Sequence, residues 1–299
     1  MTLALYSIPI KPRRSFHCCV RTSAIRPSRV AVVVPFKDDR AGLRITLASL
    51  ARMKPRPRLV RIVDDGSRRP LEFREAGRAA GRNLALEVLR MPANRGAACA
   101  RNRGLDGLTG WIYLTDCACD HPPDHFERLE RARRAVGPGV VAVAGPVRGL
   151  AGHRISRYMT EQGNLNPPML NGNPQGVVTA NVIVHGRAVR ETGGFDERFP
   201  SAGGEDIDFG LRLTQFGQVI WAGDCAVSHA FANDLKDFDR RFFRYGRGLA
   251  ILAEKWGADL TPYRFRSLSP DLQDLAERQY ERMLEGYTSR PASRRPRRP

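Results

Sequence analysis

Hydrophobic residues along the first half of the chain alternate between short unbroken runs and helical spacing. Residues 30–34 form a β-branched run before Pro35, as expected of a strand buried on both faces. Between residues 39 and 53, Leu43, Leu47 and Leu50 recur at the spacing of an amphipathic helix. The same patterns predict further strands over 59–63, 84–89 and 111–114, and further helices over 70–81 and 96–108. This alternation predicts parallel βαβ units in a doubly wound, mainly parallel α/β sheet flanked by helices.

The second half of the chain is less regular. Strands are predicted over 140–147, 177–184, 219–221 and 226–228, and residues 150–175, rich in Gly, Asn and Pro, predict a mobile loop. Helical spacing covers residues 205–216, 234–256 and 271–287. We therefore expect the sheet to be followed by a C-terminal helical extension.

Composition excludes two classes of protein. Hydrophobic residues make up 42% of the 299 residues, which excludes a wholly disordered chain. The longest apolar runs fall far short of the roughly 18 residues of a transmembrane helix, so we expect none. The six cysteines show no CxxC pair and no zinc-site spacing, so we expect reduced thiols in a cytoplasmic protein.

The formal charge of +18 is concentrated at the two ends of the chain. Residues 1–29 carry six basic and no acidic residues, and residues 290–299 carry five basic and no acidic residues, which leaves +7 for the 260 residues between them. Such segments are too polar to order by themselves, so we expect flexible tails. The alternative is weak contact with nucleic acid or an anionic membrane surface, because cationic arms attract polyanions.

Polar residues follow each of the first four predicted strands. They are residues 37–39, the pair Asp64 and Asp65, residues 94–96, and Asp116. In doubly wound sheets, ligands bind beyond the carboxyl ends of the strands. The sequence therefore predicts one ligand-binding edge that carries several carboxylates.

The motifs along residues 30–255 resemble the family 2 glycosyltransferases of the GT-A fold. The matching segments are VVVPFKD (32–38), VDDGS (63–67), NRG (94–96), ARNRG (100–104), YLTD (113–116), TAN (179–181), GGFDERF (193–199), GEDID (204–208), VSH (227–229) and FRYG (243–246). Their order and spacing carry the resemblance, since each segment alone is weak. The resemblance implies an enzyme that transfers a sugar, of hexose type, from a nucleoside-diphosphate donor such as a UDP-sugar to an acceptor hydroxyl, with inversion of the anomeric centre.

The resemblance also implies roles for individual residues on the donor side. Asp65 would bind the donor's base, and Pro35 and Asp38 would lie near the base and ribose. Arg101 would face the diphosphate, with pairing to a structural acid as an equal alternative. Arg244 lies in a basic, aromatic run, 240–247, that would close over the diphosphate; packing on the sheet is the alternative.

Two further sets of residues would carry the chemistry. Asp206 would be the general base that deprotonates the acceptor hydroxyl, with Glu205 orienting it or the acceptor. The family's Asp-x-Asp motif binds a divalent cation, Mg²⁺ or Mn²⁺, that offsets the diphosphate charge. Here Asp116 matches the first acid, but Ala118 replaces the second. The cation would then depend on Asp116, His229 and the phosphates, or on Asp120 as a substitute for the second acid, although its spacing differs. Weak metal use, or none, is the open alternative.

The predicted organisation is a basic segment (1–29), a GT-A domain (30–257), a helical extension (258–289) and a basic tail (290–299). Three rival functions remain at this point. One is a nucleotide-sugar-binding protein without catalysis, suggested by Ala118. The second is a glycosyltransferase whose acceptor is a polyanion such as modified DNA, and the third is a peripheral membrane enzyme with a lipid-linked acceptor. The sequence identifies neither the sugar nor the acceptor.

Overall fold

A seven-stranded sheet lies at the centre of the computed structural model, which describes residues 22–81, 84–150, 152–170 and 172–289. In spatial order its strands are β11 (Gln218–Trp221), β6 (Val140–Ala144), β10 (Val182–His185), β4 (Trp111–Leu114), β1 (Ala31–Phe36), β2 (Leu59–Asp64) and β3 (Leu86–Arg90). Strand β10 runs antiparallel to both of its neighbours, whereas the other pairs are parallel. The predicted mainly parallel α/β sheet is confirmed.

Helices and two small sheets complete the described part of the chain. The helices are α1 (Arg40–Arg52), α2 (Phe73–Ala80), α3 (Ala97–Leu105), α4 (His125–Val136), α5 (Arg154–Glu161), α6 (Gly186–Thr192), α7 (Glu205–Leu213), α8 (Leu235–Trp256) and α9 (Gln273–Thr288). One small sheet joins β5 (Cys119–Asp120), β12 (Val227–His229) and β7 (Val147–Gly149), and the other pairs β8 (Met169–Leu170) with β9 (Asn173–Pro174).

Alternate residues of β1 enter different cores, which is why this strand is apolar throughout. Val32 and Val34 pack with residues of α1, α2 and α4 on one face of the sheet. Ala31 and Val33 pack with residues of α3, α6 and α7 on the other face. Since successive strand side chains point to opposite faces, a strand covered on both sides needs hydrophobic residues at every position. Helices therefore cover both faces, as the predicted doubly wound architecture requires.

The last two helices pack against each other at unusually short range. Gly246 of α8 lies against the main-chain carbonyl of Met283, and Gly286 of α9 lies against that of Phe243. A side chain at either glycine would collide with the opposite backbone. Residues of both helices enter a third hydrophobic core with α5. The predicted C-terminal helices thus share a core with the rest of the molecule.

Four sequence predictions differ from the structure. Helix α5 and the β8–β9 hairpin occupy the stretch predicted as a loop over 150–175, and α4 lies where no element was predicted. The strand predicted over 140–147 is divided between β6 and β7, which belong to different sheets. Strand β10 begins only at Val182, after a turn.

Part of the predicted basic N-terminal segment packs on the domain. Ile25 is buried, its main-chain N–H donates to Oε2 of Glu130 at 2.8 Å, and Trp111 donates to the carbonyl of Ser23. These contacts involve only Ser23 and Ile25, and the flexibility predicted for residues 1–29 stays a prediction. Residues 1–21 and 290–299 of the predicted tails lie outside the described residues, and the predicted domain boundaries stay predictions.

None of the helices in the described part of the chain combines the length and apolar character needed to cross a membrane. Four of the six cysteines, Cys99, Cys117, Cys119 and Cys225, are described, and all four are free thiols.

Candidate active site

Arg101 joins two carboxylates that are far apart in the sequence. It lies on α3, whose Ala98 and Ala100 pack on the central sheet and bring the helix close to the strand ends. Its Nη2 donates to Oδ1 of Asp116 at 2.8 Å, and its Nη1 donates to Oε1 of Glu205 at 2.7 Å. The Arg101 side chain is 4% exposed and that of Glu205 is 2% exposed. Of the two roles predicted for Arg101, the structure contains the pairing with acids.

Asp116 follows β4 at the carboxyl edge of the sheet. Its main-chain carbonyl accepts a hydrogen bond from Thr46 of α1, and its carboxylate remains about one third exposed. Two residues later, Ala118 has a φ of +69°, and its main-chain N–H donates to Gly42 while its carbonyl accepts from Ala230. The loop is thus fixed by main-chain contacts at the position where a second acid was expected.

Glu205 and Asp206 form the first turn of α7. The helix begins after Gly204, whose φ of +88° favours glycine. Oε2 of Glu205 accepts a hydrogen bond from the main-chain N–H of Gly203 at 2.6 Å, so both carboxylate oxygens of Glu205 are engaged. Burial, together with the neighbouring charge of Glu205, raises the pKa of Asp206 to about 7. Asp206 therefore has the proton affinity of a general base near neutral pH.

A cavity of about 170 Å³ opens beside these acids. The predicted residues Arg101, Asp116, Glu205, Asp206 and Arg244 all line it. Arg241, which sequence reasoning noted only as part of a basic run, lines it as well. Burial lowers the pKa of Arg244, and the nearby Arg241 lowers it further. Two cations that line the same cavity can bind an anionic group there.

Buried ion pairs hold α7 against the end of α8. Asp208 is fully buried and contacts Lys255 at 2.7 Å and Arg212 at 2.8 Å. Lys255 also pairs with Asp196 at 2.6 Å, in the loop that precedes α7. Sequence reasoning missed this network, although Asp196 and Asp208 both lie in motifs that were noted. It fixes the helix that carries Asp206 relative to the helix that carries Arg241 and Arg244.

The predicted base-binding residues lie on the neighbouring strands. Asp65 follows β2, is 5% exposed, and accepts from the main-chain N–H groups of Arg95 and Gly96 at 2.7 and 2.9 Å. The Asp64 carboxylate stabilises the turn that follows it, because it accepts hydrogen bonds from the main-chain N–H groups of Ser67 and Leu71 and from Arg90. Asp65 therefore shapes the loop over residues 94–96.

Asp38 and Pro35 lie at the end of β1. Asp38 has a φ of +56° and accepts from the main-chain N–H of Arg68 at 2.9 Å, which ties the β1 loop to the β2 loop. Pro35 pairs in register with Val63 of β2. Neither these two residues nor Asp65 is among the described residues that line the cavity.

His229 is the last residue of β12, where it pairs with Cys119 of β5. It is 7% exposed, its ring stacks on Phe231 with centroids 4.5 Å apart, and its Nδ1 has no partner among the described residues. Burial, with Arg241 nearby, lowers the pKa of His229 to about 3, so the imidazole is neutral. Over the described residues, no three His, Cys, Asp or Glu side chains come together as a metal site. A cation bound by Asp116 and His229 would thus need further ligands from outside the described residues.

The chain is similar to known glycosyltransferases in sequence. The family model described as glycosyl transferase family group 2 matches residues 111–276. Two curated pre-mycofactocin glycosyltransferases from Mycobacterium tuberculosis, strains CDC 1551 / Oshkosh and ATCC 25618 / H37Rv, are each 29% identical over 232 residues, or 75% of this chain. That similarity covers 47% of each relative, so the chain spans about half the length of the curated relatives it matches.

The fold is similar to those of solved glycosyltransferase structures. A mannosyltransferase from Pyrobaculum calidifontis, in complex with GDP-Man and Mn²⁺, has a TM-score of 0.56 and 17% identity, covering 90% of this chain and 76% of that one. TarS 1–349 from S. aureus has a TM-score of 0.53 and 18% identity, covering 87% of this chain and 70% of that one. At these identities the likeness concerns the fold, which is the one that the sequence motifs predicted.

Proposed function

The chain belongs to glycosyl transferase family group 2, and on this premise we propose that it transfers a sugar from a nucleoside-diphosphate donor to an acceptor hydroxyl with inversion. The observation that carries the proposal is the convergence of Asp116, Glu205 and Asp206 around Arg101, beside a cavity that Arg241 and Arg244 also line. This arrangement combines a general base with a site for a leaving diphosphate.

The chemistry follows from the charges that line the cavity. Asp206 accepts the proton of the acceptor hydroxyl as the acceptor oxygen bonds to the anomeric carbon. The bond from that carbon to the diphosphate oxygen breaks on the opposite face, and Arg241 and Arg244 stabilise the charge that the diphosphate gains. Asp65 and Asp38 hold the loops where the nucleoside would bind. The mannosyltransferase similar in fold has GDP-Man bound, which supports a nucleotide-sugar donor.

A divalent cation fits this site if the donor supplies part of its coordination. Asp116 uses only Oδ1 for its contact with Arg101, and His229 offers a neutral Nδ1 that has no partner among the residues that the structure describes. These two residues would hold Mg²⁺ or Mn²⁺ together with phosphate oxygens, since the family's second acid is replaced by Ala118. Bound there, the cation would offset charge on the leaving diphosphate. The Mn²⁺ in the mannosyltransferase similar in fold supports this choice.

The first test is the thermal stability of the protein with UDP- and GDP-sugars, each in the presence of Mn²⁺ or of EDTA. We expect at least one nucleotide sugar to raise Tm with Mn²⁺, and EDTA to weaken that effect. For His229→Ala, we expect the same Mn²⁺-dependent rise in Tm to need roughly ten times more donor, because a proposed ligand to the metal is removed. His185→Ala, at a histidine outside the site, is the control. Donor shifts that are equal in Mn²⁺ and EDTA would exclude the proposed cation.

The pH dependence of transfer tests the role of Asp206. Because the pKa of Asp206 is raised to about 7, its basic form is depleted as the pH falls below that value. We expect kcat/KM to fall about tenfold per pH unit on the acid side and to level off above pH of about 8. Donor-induced Tm shifts at the same pH values separate catalysis from binding. A flat profile from about pH 5.5 to 8 would contradict this assignment.

One observation favours a second candidate, a nucleotide-sugar-binding protein without transferase activity. Asp116 is paired with Arg101, and Ala118 stands where the family has its second acid. Both features would weaken a cation-dependent reaction. Hydrolysis of the donor in the absence of acceptor separates the two functions. It is measured as the nucleoside diphosphate released, which a transferase would produce and a binding protein would not.

A further inference from the structure

The cavity beside Asp206 changes from charged to apolar along α8. The residues of α8 that line it are Arg241, Arg244, Tyr245, Leu249 and Leu252, which recur at three- and four-residue spacing on one face of the helix. From the first to the last, this face spans about 16 Å at 1.5 Å per residue. The two cations lie at its N-terminal end, and the side chains beyond them are aromatic or aliphatic. Ligand groups that bind beyond Tyr245 therefore meet an apolar wall.

Apolar side chains from outside α8 line the cavity as well. Tyr280 and Met283 of α9 line it, and Phe265 lines it from the segment between α8 and α9. The cavity holds about 170 Å³ including its charged end, so its apolar part accommodates a small apolar group.

The lining also includes a buried side-chain amide, that of Gln162. Gln162, at the C-terminal end of α5, is 6% exposed and lines the cavity. Neither its Oε1 nor its Nε2 has a hydrogen-bond partner within the described part of the chain. Gln279 lines the same cavity but accepts from Tyr158 at 2.8 Å and from Asn164 at 3.3 Å. Because a buried amide without a partner is costly, the Gln162 amide is available for a polar group of a ligand.

We propose that this cavity binds the acceptor, and that the acceptor is an uncharged molecule that carries an apolar group and a polar group that pairs with the Gln162 amide. The proposal rests on the proposed function, since Asp206 would deprotonate a hydroxyl of the same molecule. The apolar wall disfavours a polyanion, because the cations that line the cavity, Arg101, Arg241 and Arg244, lie on the side of the carboxylates and the proposed diphosphate site.

Three uncharged glucosides with the same sugar and different aglycones test the proposal. Methyl, phenyl and octyl β-D-glucoside, the last below its micelle concentration, are titrated into the protein with UDP present, and Kd is measured by ligand-observed NMR. We expect phenyl glucoside to bind roughly tenfold more tightly than methyl glucoside, because the ring is removed from water. Octyl glucoside should also bind more tightly than methyl glucoside, since its chain is apolar.

Two glutamine variants separate recognition from structure. Gln162→Leu removes an amide without partners, so we expect Tm to stay the same or rise while the Kd for phenyl glucoside increases roughly tenfold. Gln279→Leu is the matched control; it removes an amide that Tyr158 and Asn164 use, so Tm should fall.

Several outcomes would overturn the proposal. They are equal binding of methyl, phenyl and octyl glucoside, displacement of phenyl glucoside by sonicated DNA, and a Gln162→Leu variant that loses stability and keeps its affinity. Hydrolysis of a nucleotide sugar by the same preparation would show that the proposed function stands while the acceptor class is wrong. Absence of any donor shift would instead count against the proposed function.

Discussion

Replacing Asp206 by asparagine is expected to lower kcat for sugar transfer by about 10²–10⁴-fold, the usual contribution of a general base. Asparagine keeps the side-chain oxygen that accepts from the main-chain N–H of Ile207 at 2.9 Å, so the first turn of α7 is preserved. It also removes a negative charge beside Glu205, so the free energy of unfolding should not decrease. The measurements are initial rates with saturating donor, urea unfolding and the donor-induced Tm shift.

Asp224→Asn is the control for this variant. It makes the same chemical change at an exposed residue whose ion pair with Arg131, at 3.4 Å, is on the surface. We expect it to keep both activity and stability. If Asp206→Asn retained wild-type turnover, Asp206 would have no place in the mechanism. If it lost donor binding as well as turnover, its role would be in the donor site.

Arg101→Met is expected to reduce the free energy of unfolding by about 3–5 kcal/mol, the usual cost of breaking a buried ion pair by removing one partner. The loss falls mainly on Glu205, which is 2% exposed and would keep a buried charge without its cation. Activity should be lost as well, because Arg101 orients both Asp116 and Glu205. Arg101→Lys should recover only part of the stability, since one ammonium group lacks the planar fork that reaches two carboxylates.

Arg103→Met is the matched control, two residues further along α3. Arg103 pairs with Asp106 at 3.3 Å, but both side chains are more than half exposed, so we expect a change below about 1 kcal/mol. Urea unfolding of the three variants at one pH provides the comparison. A loss of less than about 1 kcal/mol in Arg101→Met would mean that the Arg101 bridge contributes nothing beyond a surface pair.

The sheet could be predicted because its strands are covered on both faces and its helices have one apolar face. Helix α4 lacked this signal, because its inner side carries His125, Glu130 and Arg133. Glu130 and Arg133 satisfy each other at 2.6 Å, and Glu130 accepts from Ile25, so charges occupy positions where apolar residues would have indicated a helix. Helix α5 did carry the signal in Ile155, Tyr158 and Met159, but the Gly, Asn and Pro content around it favoured a loop.

The members of the site could be named from motifs, but their partners could not. Arg101 pairs with one acid 15 residues away and another 104 residues away, and no local pattern indicates such pairs. The same holds for Lys255, which joins Asp196 to Asp208. Gln162 belongs to no motif at all. Only its burial and its unpaired amide, both consequences of tertiary packing, distinguish it from other glutamines.

The glycine contact between α8 and α9 determines how much of the chain the catalytic unit needs. The family match ends at residue 276, within α9, yet Tyr280 and Met283 of that helix line the same cavity as Asp206. A version shortened at Gly257 would leave Leu249 and Leu252 facing solvent, and the cavity would be open to solvent on the side that α9 now covers. Gly246 and Gly286 admit no bulkier residue, so these two positions keep α9 close enough to α8 to complete the wall of the cavity.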